Sequence, residues 1–125
     1  MTENQLAKII VNECYTIHTE LGPGLFESVY EKVLAHQLIM QGIKIKIQKG
    51  IPLVWKGINL EMGFRADIIV DEKLIIEVKS IERIAPVHYK QLLTYLKLTD
   101  IKLGLLVNFN ENLIKNGITR IVNNL

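Results

Sequence analysis

Between Phe64 and Ser80 the chain reads Phe-Arg-Ala-Asp-Ile-Ile-Val-Asp-Glu-Lys-Leu-Ile-Ile-Glu-Val-Lys-Ser, and no other stretch constrains the fold as much. Two short runs rich in β-branched residues flank a polar Asp71-Glu72-Lys73, the pattern of a β-hairpin. Side chains alternate across a strand. Phe64, Ala66, Ile68 and Val70 therefore form the apolar face of the first strand, and Leu74, Ile76 and Val78 that of the second. Asp67, Glu77 and Lys79 fall on the opposite face. A three-residue loop sets Val70 against Leu74 and Asp67 against Glu77, with their Cβ atoms roughly 5 Å apart. A two-residue loop would pair Asp67 with Ile76 and send the charges to opposite faces. Two carboxylates and an ammonium on one face can hold a divalent cation and activate a water, the chemistry of phosphodiester hydrolysis. That chemistry requires the three-residue loop, which is the register expected.

The same face carries Ile69 and Ile75, so a helix is expected to cover it in part. Charges under such a cover are costly unless they are paired or bound to a metal. The alternative is a solvated strand face with a Glu-Lys pair two residues apart.

The remainder of the chain bounds the class. Its 125 residues suffice for one domain, 1–125, that buries a real core, with 49% apolar residues. A net charge of +2 permits a polyanionic partner without demanding one. The lone Cys14 excludes an internal disulfide and a cysteine zinc cluster. The first residues lack a signal-peptide pattern, and no apolar run reaches the length of a membrane span. A cytoplasmic protein with no membrane contact is the expectation.

Apolar spacings of three and four predict a helix over 3–20, stopped at Gly22-Pro23-Gly24, and a second from about Leu25 to Met40. Residues 43–58 read as a strand with a kink near Gly50-Ile51-Pro52, running through Leu53 to a turn at Lys56-Gly57. Pro86 opens a third helix reaching about Thr99. Ile101–Phe109 has the continuous apolarity of a strand covered on both faces, and Ile118–Val122 is a last short strand. The order is ααβββαββ, an α/β structure with a mixed central sheet flanked by helices.

Two further constellations surround the hairpin. Upstream lies Gly24-x-x-Glu27-x-x-Tyr30; downstream lies Gln91-x-x-x-Tyr95. With Asp67 and Glu77-x-Lys79, these resemble the GxxExxY family, a branch of the PD-(D/E)xK nuclease superfamily, over nearly the whole chain. The resemblance implies a restriction-endonuclease-like core and a Mg²⁺- or Mn²⁺-dependent nuclease acting on DNA or RNA. It implies that Asp67, Glu77 and the Val78 carbonyl bind the metal, and that Lys79 orients or deprotonates the attacking water. It also makes Glu27 an accessory ligand in the same site and gives Gln91 and Tyr95 a supporting role. The competing expectation is a nucleic-acid- or protein-binding module that keeps the fold without catalysis.

The residues themselves leave several roles open. Glu27 sits in the first turn of its helix, where simple compensation of the helix dipole would also favour it. Its position at the margin of the apolar stripe predicts a cationic neighbour. Tyr30 reads as a core ring with a tethered hydroxyl, and Glu31 as solvent-facing. His18 reads as a satisfied helix-contact residue. His88, Gln91 and Tyr95 share one side of the third helix. Arg65, opposite Lys79, could meet a phosphate or pair with Glu27 or Glu77. Lys44, Lys46 and Lys49 could track phosphates or protect an edge strand. No base-reading motif, aromatic stacking platform or recognition arm is legible, which favours a homodimer or a partner protein that supplies the substrate.

Overall fold

The first helix, α1 (Glu3–Leu21), starts where the sequence gives it a cap. Thr2 Oγ1 accepts from the Gln5 amide at 3.1 Å, and Gln5 Oε1 accepts from the Thr2 amide at 2.8 Å, a closed capping box. It ends at Gly22, whose φ of 70° suits a residue without a Cβ. The second helix, α2 (Glu27–Met40), begins after Phe26, slightly later than the sequence suggests. The structure, a computed structural model, describes residues 1–52, 54–60 and 65–125. The expectations for Leu53 and Phe64 lie outside the described residues.

Strands β1 (Ile45–Gly50), β4 (Arg65–Val70), β5 (Leu74–Lys79), β6 (Leu103–Asn108) and β7 (Ile118–Val122) form one mixed sheet in the order β1-β4-β5-β6-β7. Only the β5–β6 pair is parallel, joined through α3 (Pro86–Thr99). The fold is α/β, with the mixed sheet and three α-helices of a restriction-endonuclease-like core. One departure from the expected order lies between β1 and β4. There a separate two-stranded hairpin forms from β2 (Val54–Trp55) and β3 (Ile58–Asn59), outside the main sheet. Pro52, which has no amide to donate, marks the break from β1. Lys56 and Gly57 close the hairpin with φ of 48° and 79°, the backbone of a tight primed turn.

The sheet is covered on both faces. On one side Leu6, Ile10, Cys14 and Ile17 of α1 and Tyr30, Leu34 and Leu38 of α2 pack on Ile68, Val70, Leu74, Ile76 and Val78. On the other, Leu92, Tyr95 and Leu96 of α3 cover Ile69, Ile75 and Leu106, the helix cover expected over Ile69 and Ile75. Ala66 departs from the alternation and packs with this second group beside Ile51. The β4–β5 rungs end at Ile68–Ile76, while Ala66 still pairs with Lys49 of β1. Two glycines fix close approaches. A Cβ on Gly104 would lie 3.0 Å from the Leu92 side chain, and one on Gly117 would lie 2.2 Å from the Asn108 carbonyl oxygen.

Candidate active site

The hairpin adopts the three-residue loop. Val70 pairs with Leu74, Ile69 with Ile75 and Ile68 with Ile76, which carries Asp67 opposite Glu77. Asp71 and Glu72 take left-handed φ values of 50° and 54° to make the loop. At the Asp67–Glu77 level the strands interlock through their acids. Asp67 Oδ2 accepts from the Val78 amide at 2.8 Å, and Glu77 Oε1 accepts from the Asp67 amide at 3.3 Å. Each carboxylate is thus oriented by the backbone of the opposite strand.

Glu77 is 5% exposed. Burial, then the neighbouring Asp67 charge and a hydrogen bond between the two carboxyl groups, push its pKa up to about 9, against a smaller opposing pull from the Asp67 amide and Lys79. Lys79 is half-buried and takes part in neither ion pair found among the described residues, Lys46–Glu72 and Lys73–Asp71. Its charge reaches Glu77 without contact.

A cavity of about 270 Å³ opens beside Asp67, with Glu27, Ser28, Glu31, Gln48 and Val78 in its wall. Glu27 does not meet the cation its position suggested: its Oε2 accepts from the Ser80 amide at 3.2 Å. Ser80 Oγ donates to the Leu25 carbonyl at 2.5 Å, so the start of α2 and the end of β5 are tied at two points. From the other side, the buried Asn108 accepts from the Ile81 amide at 3.1 Å and donates to the Ile81 carbonyl at 2.9 Å. The backbone just past Lys79 is therefore held on both flanks.

Glu31 corrects the sequence reading. It lines the cavity, and Gln48 Nε2 donates to its Oε1 at 2.6 Å and to Asp67 Oδ1 at 3.2 Å. Burial, with the nearby Asp67 and Glu27 charges, raises the Glu31 pKa despite the Gln48 bond. The signal was present in the sequence: Glu31 follows Glu27 by one helical turn. Gln48 had none, because its role rests on a left-handed backbone with φ of 51°, a conformation that costs a non-glycine residue about 1–3 kcal/mol. Ser80 likewise acquires its partners only in the fold.

The other expected residues divide. Tyr95 is buried, hydrogen-bonded to the Arg65 backbone and close enough to Glu77 and Asp67 to feel their charges; burial first, then those charges, raise its pKa. Tyr30 donates to the Gly22 carbonyl at 2.5 Å, accepts from the Leu25 amide at 3.2 Å and stacks on Phe109 at 4.4 Å. It fixes the loop before Glu27 from the core. His88 Nδ1 accepts from the Ala85 amide at 2.9 Å, so it caps α3. Gln91 is exposed one turn before Tyr95. Arg65 donates to the Gln48 carbonyl at 3.2 Å and forms neither of the ion pairs considered for it. Lys44 and Lys46 line clefts near the hairpin turn, away from the carboxylates, and Lys46 pairs with Glu72 at 2.6 Å. His18 Nε2 lies 2.7 Å from the Glu111 carbonyl, a helix contact outside this cavity.

Among the described residues, no three His, Cys, Asp or Glu side chains come together tightly enough to cage a metal on their own. The donor set fits a hard cation of lower demand. Two carboxylates and a carbonyl are what Mg²⁺ takes from a protein when it keeps several waters. A buried carboxyl with a raised pKa beside a second acid is a place where a divalent cation would relieve repulsion. Among the described residues, no helix is long and apolar enough to cross a membrane.

The sequence model of the PD-(D/E)XK nuclease superfamily matches residues 4–121. Searches of curated proteins and of solved structures gave no significant match.

Proposed function

The chain belongs to the PD-(D/E)XK nuclease superfamily, and from that premise we propose that it is a metal-dependent nuclease of the GxxExxY branch, hydrolysing phosphodiester bonds in DNA or RNA. The observation that carries this reading is the Asp67–Glu77 interlock, two acids held by each other's strand backbone at the edge of a cavity.

Asp67, Glu77 and the Val78 carbonyl would hold Mg²⁺ or Mn²⁺, which when bound supplies Lewis acidity and lowers the pKa of water. Lys79 follows Val78 on the same strand, where its ammonium can orient the attacking water and offset charge building on the phosphate. Glu27 and Glu31 line the cavity where water enters and accept hydrogen bonds from it. Gln48 spaces Glu31 from Asp67 by donating to both. Tyr95 closes the buried side of the pair. Gln91, exposed one turn earlier on α3, would support the site or contact a nucleic-acid backbone.

The test is cleavage of labelled DNA and RNA, single- and double-stranded, with Mg²⁺ or Mn²⁺. Wild type and Glu77→Ala are purified in parallel to expose contaminating nuclease. Cleavage by the wild type alone is expected, with a loss of about 100-fold or more in the variant. Equal cleavage by both, or none by either, would favour the non-catalytic binding module.

A further inference from the structure

In the β2–β3 hairpin the fold leaves a run of apolar residues uncovered. Val54, Trp55 and Ile58 are 66%, 57% and 53% exposed. Trp55 and Ile58 are cross-strand partners and so share one face. A lone two-stranded hairpin is marginal in water, and this one buries little of its own surface against the sheet. The tight Lys56-Gly57 turn holds it, with Lys56 Nζ 4.7 Å from the Trp55 ring centroid.

Its charge is one-sided. Residues 41–60 contain Lys44, Lys46, Lys49 and Lys56 and no Asp or Glu, in a chain that carries 13 acidic residues. The hairpin also leaves the sheet beside the candidate active site. Gly50–Arg65 is the last β1–β4 rung, and Gln48 and Asp67 stand just inside it. An exposed aromatic ring on a cationic hairpin, whose two ends leave the sheet within two residues of Gln48 and Asp67, matches one chemistry: a base to stack on the ring and phosphates to meet the lysines. A second copy of the same arm would instead bring like charges together.

Resting on the nuclease reading above, we propose that the β2–β3 hairpin is a nucleic-acid contact arm. Trp55 stacks on an unpaired base, and Lys56, Lys49 and Arg65 meet the adjoining phosphates. The arm thereby holds a splayed strand next to Asp67 and Glu77.

Trp55 is the chain's only tryptophan, so its fluorescence reports on the arm alone. The wild type is titrated in EDTA at low salt with unlabelled single-stranded DNA, single-stranded RNA and blunt duplex. Anisotropy of labelled strands is followed in parallel. The expected result is saturable quenching by single strands with the midpoint that anisotropy gives, whichever of DNA or RNA binds better. Trp55→Ala should weaken single-strand binding about tenfold, Trp55→Phe should recover most of it, and Lys56→Ala should lessen its salt dependence. Binding by anisotropy with unchanged fluorescence and an unaffected Trp55→Ala would overturn the arm and leave the nuclease reading standing. Fluorescence that changes with protein concentration alone would assign the hairpin to self-association and overturn it as well. No binding of any strand would remove the arm and the nucleic-acid reading together.

Discussion

Glu77 is the buried acid of the candidate site, 5% exposed. In the folded protein its carboxyl holds its proton up to about pH 9, while in the unfolded chain it ionises near 4.5. Between those values the native state binds more protons than the unfolded state, so stability falls as pH rises through that window and is greatest below it. Glu77→Gln cannot ionise and should flatten the dependence. Urea midpoints between about pH 5 and 9 in metal-free buffer should decline in the wild type and stay nearly level in the variant. An equal decline in both would mean that Glu77 is not the group responsible. The pairing of this residue with Asp67 was legible in the sequence because alternation and an odd loop are local properties. Gln48 was not, since its meeting with Glu31 depends on how α2 lies across β1 and on a left-handed residue inside a strand.

At the scale of elements, the hairpin, α3 and the last two strands were readable because each carries its own punctuation. Pro86 opens α3, and the fully buried Leu103–Asn108 shows the continuous apolarity of a central strand. The region after Pro52 was not, because nothing in Val54–Asn59 distinguishes a strand added to the main sheet from a hairpin standing outside it. The faces of β4 were predicted except at Ala66, which lies past the last β4–β5 rung and packs with the cluster under α3. The connection between β6 and β7 depends on one contact. Gly117 donates to Ile114 and accepts from the Asn108 amide, and a Cβ there would strike the Asn108 carbonyl oxygen at 2.2 Å. That obstacle is backbone, so a rotamer change cannot relieve it. Gly117→Ala should destabilise the protein by about 1–3 kcal/mol, seen as a lower denaturation midpoint with an unchanged slope. Because Asn108 also holds Ile81 beside the site, any cleavage activity should fall with it. Wild-type stability in Gly117→Ala would show that the turn shifts without cost.

For the molecule as a whole, the sheet brings to one end residues that lie far apart in sequence. Glu27 and Glu31 come from α2, Gln48 from β1, Asp67 from β4, Glu77 and Lys79 from β5, and Tyr95 from α3. The acids dominate the cavity, while the cationic residues 44–56 lie along β1 and the hairpin beyond it. This separation explains why a net charge of only +2 was a poor guide: the two signs are sorted in space rather than blended. An acid-lined cavity repels a phosphate unless a cation intervenes, so the proposed hydrolysis depends on that cation. The most direct measurement is calorimetric titration of Mg²⁺ and Mn²⁺ at pH 7 in two buffers of different ionisation enthalpy, for wild type, Asp67→Ala and Glu77→Ala. Because Glu77 holds a proton at that pH, wild-type binding should release close to one proton. Both variants, still folded by circular dichroism, should lose the binding. Titrations in both variants that match the wild type would place any metal elsewhere and contradict the account.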